Sequence, residues 1–202
     1  MEYIRALCST YAIPLLEDGA QAFGVEINRT RVAAFGIDVG ESVFSNAAVG
    51  TLSFYPSKIL GGAGDGGAVT CQGDAMASWL RSIRNHGRSD IYEHQHVGMN
   101  SRLVSIKASY LLKALTLSND VIAERRATVQ FYHDALNGKR GFKVHVPPAG
   151  VYGNGYLAVV TSDRLYGAEL AFAIHQRGIG CSRIYPATIA DQPGSKDAIA
   201  FG

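Results

Sequence analysis

The feature that most constrains the fold is a strand, a lysine and a glycine-rich loop within residues 50–70. Residues 50–54 alternate polar and apolar side chains, which predicts a β-strand, and Pro56 then excludes a central strand position and turns the chain. Five glycines within residues 61–67 let the backbone pass close to a bulky or anionic group. Lys58 lies on the loop between the strand and the glycines, where a fixed and partly desolvated amine can attack a carbonyl or imine carbon. The alternative, a solvated loop lysine, describes most lysines.

A second candidate site residue is Asp18, at the end of a short apolar strand predicted at residues 13–17. A carboxylate at the carboxyl end of a parallel strand lies where α/β sheets bind ligands. A desolvated aspartate there can hold a positive charge such as a protonated ring nitrogen. When Asp18 is considered alone, it is an equally good interpretation that its side chain only caps the following turn.

The composition is typical of a globular chain with one domain or two small ones. Of the 202 residues, 47% are hydrophobic and 18% charged, and the net charge of +2 comes without a Lys/Arg run. Nucleic acid is therefore not an expected partner. No uncharged apolar run approaches the roughly 20 residues that a membrane span needs, and no signal-peptide pattern opens the chain. We expect no membrane partner.

The cysteines and histidines bear on location and metal binding. The three cysteines are widely spaced and form no CxxC pattern, which predicts reduced thiols in a cytoplasmic protein. His94 and His96 form a pair, but no cysteine or carboxylate stands at metal-ligand spacing beside it. No metal site is predicted.

The periodicity of the chain predicts an α/β domain followed by a smaller domain. Residues 25–32 are compatible with a hairpin arm, and residues 36–46 are loop-like. After residue 137 the pattern changes to strands at residues 142–146 and 155–161, a helix and a third strand at residues 180–185, which predicts a small α+β domain. We place the domains at residues 1–137 and 138–202. Helices are predicted at residues 2–10, from Asp74 to the stop at Gly87, and in two parts at residues 103–117 and 121–136.

Five motifs, taken together and in order, resemble those of one family. They are Glu17-Asp-Gly-Ala-Gln-Ala-Phe-Gly24, Ser53-Phe-Tyr-Pro-Ser-Lys58, Gly64-Asp-Gly-Gly67, Arg84-Asn-His-Gly87 and Gly98-Met-Asn-Ser-Arg-Leu103. The chain resembles the DegT/DnrJ/EryC1/StrS family of pyridoxal-phosphate sugar aminotransferases. Tyr185-Pro186 and Gln192-Pro193 are similar to a signature near that family's carboxyl end. The resemblance implies an α/β chain with the type I aminotransferase fold: a three-layer large domain, here incomplete, followed by the small α+β domain.

The resemblance also implies a role for each of five residues. Lys58 would form the Schiff base with the cofactor, pyridoxal 5'-phosphate, and carry the proton between substrate and cofactor. Asp18 would pair with the ring nitrogen, and Gln21 would meet the ring or its hydroxyl. Ser53 would donate its hydroxyl to the cofactor phosphate. Asn100 would reach the partner's cofactor phosphate across the two-fold interface of a homodimer.

Two departures from the family pattern set further expectations. The 40-residue spacing from Asp18 to Lys58 is longer than the family's by about a dozen residues, an excess expected to form a loop near the site at residues 25–49. The family's amino-terminal phosphate-binding turn and ring-stacking aromatic have no counterpart here, and both ends of the chain look cut. We therefore expect a fragment, a degenerate gene product, or one half of a split enzyme whose partner chain supplies the remainder.

The function implied by the resemblance is transamination. An amino group would pass from an amino acid, glutamate, to a keto-sugar of a nucleotide-linked hexose, for cell-surface polysaccharide or deoxyaminosugar biosynthesis. Lys58 argues against the family's dehydrase branch, in which a histidine takes that place. One alternative is a catalytically deficient fragment or structural or regulatory subunit of the same fold. Another is a cofactor-independent α/β binding protein, which requires the five motifs to coincide by chance.

Overall fold

The computed structural model describes residues 2–33, 48–183, 185 and 187–195. Packing divides the chain into two compact units, Met1–Phe131 with Val146–Ala158, and Tyr132–His145 with Val159–Gly202. The assignment of domains at residues 1–137 and 138–202 stays a prediction. In chain order the elements are α1 (Glu2–Thr10), β1 (Leu15–Asp18), β2 (Glu26–Ile27), β3 (Thr30–Arg31), β4 (Ala48–Ser53), β5 (Gly67–Cys71), α2 (Asp74–Ile83), α3 (Ser105–Leu136), β6 (Phe142–His145), β7 (Val151–Tyr152), β8 (Val159–Ser162) and α4 (Gly167–His175).

The larger unit contains a three-stranded sheet in the order β1-β4-β5. Strands β1 and β4 run parallel, with Asp18 opposite Thr51, whereas β5 returns antiparallel and places Gly67 opposite Ser53. Because β1 and β4 are parallel, their carboxyl ends lie at the same edge of the sheet. The sheet therefore gathers at one edge the side chains that follow both strands.

A second sheet of the larger unit has the order β3-β2-β7. The segment at residues 25–32, expected to be one hairpin arm, forms both arms of a short hairpin, β2 and β3. Its two-residue turn is formed by Asn28 and Arg29, with φ of 49° and 66°. Positive φ at both central residues matches the right-handed twist of paired strands. The loop predicted at residues 36–46 lies outside the described residues.

The helices of the larger unit follow the sequence pattern with one exception. Helix α1 lies where it is predicted, and α2 begins at the predicted Asp74 and ends at Ile83, four residues before Gly87. The predicted break at residues 118–120 is wrong, because α3 continues without interruption for 32 residues. Ser118 is buried and donates its hydroxyl to the Leu115 carbonyl at 2.8 Å, so its polar group is satisfied inside the helix. No helix in the described ranges combines the length and apolar content that crossing a membrane requires.

The smaller unit contains an antiparallel pair, β6 and β8, together with helix α4. Val144 of β6 is its most buried side chain among the described apolar residues. The third strand predicted at residues 180–185 is absent from the described residues 180–183 and 185. Among the residues that the structure describes, the β6–β8 sheet has two strands, and residues 180–183 form no ladder with it.

Candidate functional site

The carboxyl edge of the β1–β4 pair holds two of the predicted site residues. Asp18 is the last residue of β1 and Ser53 the last of β4. The edge is fixed by the Gly19 N–H, which donates to the Thr51 carbonyl at 2.9 Å. The exposed Asp18 carboxylate accepts the Ala20 N–H at 2.9 Å through one oxygen, so it does stabilise the following turn. That bond uses one of two carboxylate oxygens, and a binding role remains compatible with the geometry.

The residue before Asp18 anchors the end of β1 from the other face of the sheet. Glu17 is 3% exposed, and its Oε1 accepts the Arg5 Nε–H at 2.7 Å and pairs with Arg5 Nη2 at 2.5 Å. Its Oε2 accepts the Ala33 N–H at 3.1 Å. Successive side chains of a strand point to opposite faces, so an inward Glu17 places Asp18 on the exposed face.

The turn after β4 places Lys58 close to the same edge. Ser53 Oγ accepts the Tyr55 N–H at 3.3 Å, and the Lys58 N–H donates to the Tyr55 carbonyl at 2.9 Å. Ile59 and Leu60, which follow directly, are 8% and 5% exposed and hold the turn against the protein interior. Lys58 itself is half-buried. The sequence therefore produces a lysine on an anchored turn rather than on a free loop.

The glycine after this turn has a steric role. A Cβ on Gly61 would lie 2.2 Å from the Pro56 carbonyl oxygen, closer than any side chain tolerates. The glycine-rich segment thus allows the loop to close on its own backbone around Lys58. This close approach is between parts of the protein, whereas the sequence pattern suggested an approach to a bulky or anionic group.

Tyr156 contacts Lys58 and is not among the residues that the sequence analysis selected. Lys58 Nζ lies 5.0 Å from the centroid of the Tyr156 ring, within the range of a cation–π interaction. Hydrogen bonding with the Ser57 side chain lowers the pKa of Tyr156, with further lowering by the charges of Lys58 and Arg125 and opposition from burial. The Lys58 amine and a perturbed phenol therefore share one environment.

Gln21 and Asn100 occupy different surroundings. Gln21 lies in the turn after β1, and its backbone carbonyl accepts a hydrogen bond of 2.9 Å from Asn154 Nδ2. Asn100 is exposed, forms an isolated bridge with Asn85, and accepts the Arg102 Nε–H on its Oδ1 at 2.9 Å. Within the described residues, no hydrogen bond joins the Asn100 side chain to Asp18, Ser53 or Lys58.

The structure thus brings Asp18 and Ser53 to one edge and places Lys58 on the turn that follows β4. Gln21 lies in the turn after β1, and Asn100 lies on a separate segment. The structure also adds Tyr156 and Asn154, which sequence reasoning missed. Asn154 lies just before the strand predicted at residues 155–161 and Tyr156 lies within it, so the pattern marks neither as a site residue. The 133 residues between Asn154 and Gln21 hide their contact. No group of three His, Cys, Asp or Glu side chains suited to a metal ion occurs in the described part of the chain.

Comparison of the sequence with protein families gives one family over almost the whole chain. The model of the DegT/DnrJ/EryC1/StrS aminotransferase family matches residues 1–199. The chain is 37% identical over 133 residues to UDP-2-acetamido-2-deoxy-3-oxo-D-glucuronate aminotransferase of Pseudomonas aeruginosa, covering 66% of this chain and 34% of the relative. It is 31% identical over 193 residues to dTDP-3-amino-3,4,6-trideoxy-alpha-D-glucose transaminase of Streptomyces venezuelae, covering 96% of this chain and 48% of the relative. The chain spans about half or less of the length of these curated relatives.

Solved structures give the same fold. S. venezuelae DesV, crystallised in complex with a ketimine intermediate, superposes with a TM-score of 0.86 at 30% identity, covering 97% of this chain and 49% of DesV. A DegT DnrJ EryC1 StrS aminotransferase from Brucella abortus gives a TM-score of 0.84 at 29% identity, with 97% and 49% of the two chains covered. The predicted type I aminotransferase fold is therefore confirmed.

Proposed function

Because the chain belongs to the DegT/DnrJ/EryC1/StrS aminotransferase family, we propose that it carries the lysine-bearing part of a nucleotide-sugar transaminase site. The observation that supports the proposal is the position of Lys58 on an anchored turn directly after β4, the strand that ends at Ser53 and pairs with the strand that ends at Asp18. In this site an amino group passes from an amino acid, glutamate, to the keto group of a sugar attached to a nucleoside diphosphate.

The donor set at this edge fits the cofactor that the family implies, pyridoxal phosphate. That cofactor supplies a conjugated ring which takes up the electrons of the bond broken at the substrate carbon. The chain offers an amine for the cofactor's aldehyde, a carboxylate for its ring nitrogen and a hydroxyl for its phosphate, on Lys58, Asp18 and Ser53 respectively. These three chemical types meet three different requirements of one ligand.

Each of these residues has a proposed action that follows from its chemistry. The Lys58 amine attaches the cofactor and, when a substrate amine displaces it, acts as the base that moves a proton at the substrate carbon. The Asp18 carboxylate keeps the ring nitrogen protonated, because an adjacent negative charge favours the charged form. The Ser53 hydroxyl donates to a phosphate oxygen, a charge-assisted hydrogen bond.

Two further residues have proposed roles. Gln21 contacts the ring or its hydroxyl from the turn that Asn154 holds. Asn100 acts toward the cofactor phosphate of a partner subunit in a homodimer, which agrees with its exposure and its distance in sequence from the Lys58 turn. The curated relatives are about twice as long as this stretch, so we propose that other protein residues, in the same chain or a separate one, complete the site.

The proposed setting is the biosynthesis of surface polysaccharides or deoxyaminosugars. Relatives named as UDP-sugar and dTDP-sugar transaminases support a nucleotide-linked keto-sugar as the substrate class. The free thiols Cys8, Cys71 and Cys181 support a reducing, cytoplasmic location.

The proposal is tested by a visible spectrum of the protein after addition of pyridoxal phosphate, before and after borohydride reduction. We expect a yellow band that borohydride removes while leaving the cofactor covalently attached. The band should be lost in Lys58→Ala and retained in Lys113→Ala, which removes an exposed lysine of α3. A catalytically deficient subunit of the same fold would give no band in the unmodified protein, and that result would overturn the proposal.

A further inference from the structure

Tyr156 contacts Lys58 and has no role in the transamination proposed above. The Lys58 Nζ lies 5.0 Å from the Tyr156 ring centroid. The Ser57 and Lys58 side chains both lower the pKa of the Tyr156 hydroxyl, so the phenol and the amine act on each other. A flexible four-carbon side chain gains a defined direction from contact with a tyrosine ring whose backbone is fixed.

The backbone at Tyr156 is held by one buried amide. Asn154 is 5% exposed, and its Nδ2 donates to the carbonyls of Gln21 at 2.9 Å and Phe23 at 3.0 Å. Its Oδ1 accepts the Tyr156 N–H at 3.0 Å. A carboxamide has two N–H donors and one carbonyl acceptor, so these three bonds engage both donors and the acceptor. Asn154 therefore joins the turn after β1 to the residue that contacts Lys58.

Helix α3 holds the same segment from its other side. Gly155 has φ of 67°, and a Cβ there would lie 2.6 Å from the backbone carbon of Arg125. Arg125 Nη1 also donates to the Tyr156 carbonyl at 3.5 Å. Only glycine allows this approach without displacing the helix. Tyr156 is thus fixed by Asn154 on one side and by α3 on the other.

We propose that Tyr156 is a positioning residue for the Lys58 amine, and that Asn154 couples this positioning to the turn that carries Gln21. The inference rests on the proposed function, in which Lys58 is the reacting amine. Asn154 is hydrogen-bonded to Gln21, which lies 133 residues earlier in the sequence, so a single buried side chain connects the two loops of the site. The charged groups that act on the Tyr156 hydroxyl are Lys58 and Arg125.

The first test follows the reactivity of Lys58 without any cofactor. The protein is methylated with formaldehyde and cyanoborohydride across a pH range, and mass spectrometry gives the ratio of methylation at Lys58 to that at exposed Lys113. Ionisation of Tyr156 places a negative charge beside the Lys58 amine and favours the protonated form of that amine, which is not methylated. We therefore expect the ratio of Lys58 to Lys113 methylation to fall about threefold as the pH rises and Tyr156 ionises. The fall should vanish in Tyr156→Phe and persist in Tyr152→Phe. Equal pH profiles in the unmodified protein and Tyr156→Phe would overturn the inference.

The second test measures the same coupling from the tyrosine. Tyrosinate absorbance, taken as the difference between each protein and its Tyr156→Phe counterpart, gives the titration of Tyr156 alone. Since the Lys58 charge favours the phenolate, Lys58→Met should raise the pKa of Tyr156, and Lys113→Met should leave it unchanged. An unchanged titration in Lys58→Met would contradict the pairing. Neither the methylation test nor the tyrosine titration uses the cofactor. If the protein fails to capture pyridoxal phosphate, the proposed function is overturned, but these two tests still decide whether Tyr156 positions the Lys58 amine.

A third measurement addresses the consequence for the proposed site. We expect Tyr156→Phe to slow borohydride-trapped attachment of pyridoxal phosphate to Lys58 by about tenfold, with Tyr152→Phe as the matched control. Attachment at the unmodified rate and with the unmodified pH dependence in Tyr156→Phe would overturn the positioning role.

Discussion

The buried Asn154 side chain donates a hydrogen bond of 2.9 Å to the carbonyl of Gln21, 133 residues earlier in the chain. Replacement of Asn154 by alanine leaves that carbonyl, the Phe23 carbonyl and the Tyr156 N–H without their partner. We expect Asn154→Ala to lower the free energy of unfolding by about 2–4 kcal/mol, because unpaired buried polar groups are costly.

Urea denaturation measures this loss, and exposed Asn119 of α3 provides the control. Asn119→Ala should change the free energy of unfolding by less than about 0.5 kcal/mol. A similar small effect for Asn154→Ala would show that the two loops are not tied together by this amide.

The ion pair behind Asp18, between buried Glu17 and half-buried Arg5, gives a second prediction. Glu17 is 3% exposed and is bonded to Arg5 and to the Ala33 N–H, so Glu17→Gln removes a buried charge and weakens both contacts. We expect a loss of about 3 kcal/mol in the free energy of unfolding. The exposed pair of Glu26 with Arg31, at 3.5 Å, is the matched control, and Glu26→Gln should cost less than about 1 kcal/mol. Equal losses in the two variants would contradict the anchoring role of Glu17.

The loop that carries Lys58 should not tolerate a side chain at Gly61. A Cβ there would lie 2.2 Å from the Pro56 carbonyl oxygen, so the turn must open to admit it. We expect Gly61→Ala to cost about 1–3 kcal/mol and to weaken cofactor capture by displacing Lys58. Gly180→Ala is the control, since no atom within 4 Å would meet the added Cβ. Calorimetry compares the two variants, and a Gly61→Ala protein as stable as Gly180→Ala would refute the steric requirement.

The lowered pKa of Tyr156 predicts an alkaline contribution to stability. Its causes are hydrogen bonding with Ser57 first, then the charges of Lys58 and Arg125. Below the folded-state pKa the phenol is protonated in both states and contributes nothing. Between the folded-state pKa and the ordinary tyrosine pKa near 10, Tyr156 is a phenolate in the folded state and protonated in the unfolded chain. Its contribution to the free energy of unfolding therefore grows with pH and is complete above about pH 10.

We therefore expect the stability advantage of the unmodified protein over Tyr156→Phe to be larger at pH 10 than at pH 7. Urea denaturation at both pH values measures it, with Tyr152→Phe as the reference for a tyrosine on the same segment. A stability difference between the two proteins that is equal at the two pH values, or larger at pH 7, would contradict a lowered pKa of Tyr156.

The parts of the site that sequence could predict are those that follow from local pattern. Strand ends, Pro56 and the glycines indicated Asp18 and Lys58, and the family resemblance added Ser53. The parallel pairing of β1 with β4 places Asp18 and Ser53 at one edge. Tyr156 and Asn154 could not be predicted in this way. Their contacts with Lys58 and Gln21 depend on tertiary packing across long sequence separations, which leaves no periodic signal.

The errors in the fold have a similar origin. Ser118-Asn119-Asp120 indicated a helix break because these residue types favour turns, yet α3 continues through them with the Ser118 hydroxyl bonded inside the helix. The predicted strand at residues 155–161 begins only at Val159, because the Tyr156 N–H is engaged by Asn154 rather than by a strand. Local propensity gave way in both cases to side-chain hydrogen bonds.

The proposal that the cofactor becomes attached to Lys58 is tested by locating the attachment. The protein is mixed with pyridoxal phosphate, reduced with borohydride, digested and mapped by mass spectrometry. We expect the reduced cofactor on the peptide that contains Lys58, in preference to exposed Lys113. Attachment spread evenly over exposed lysines, or at another single lysine, would overturn the role proposed for Lys58.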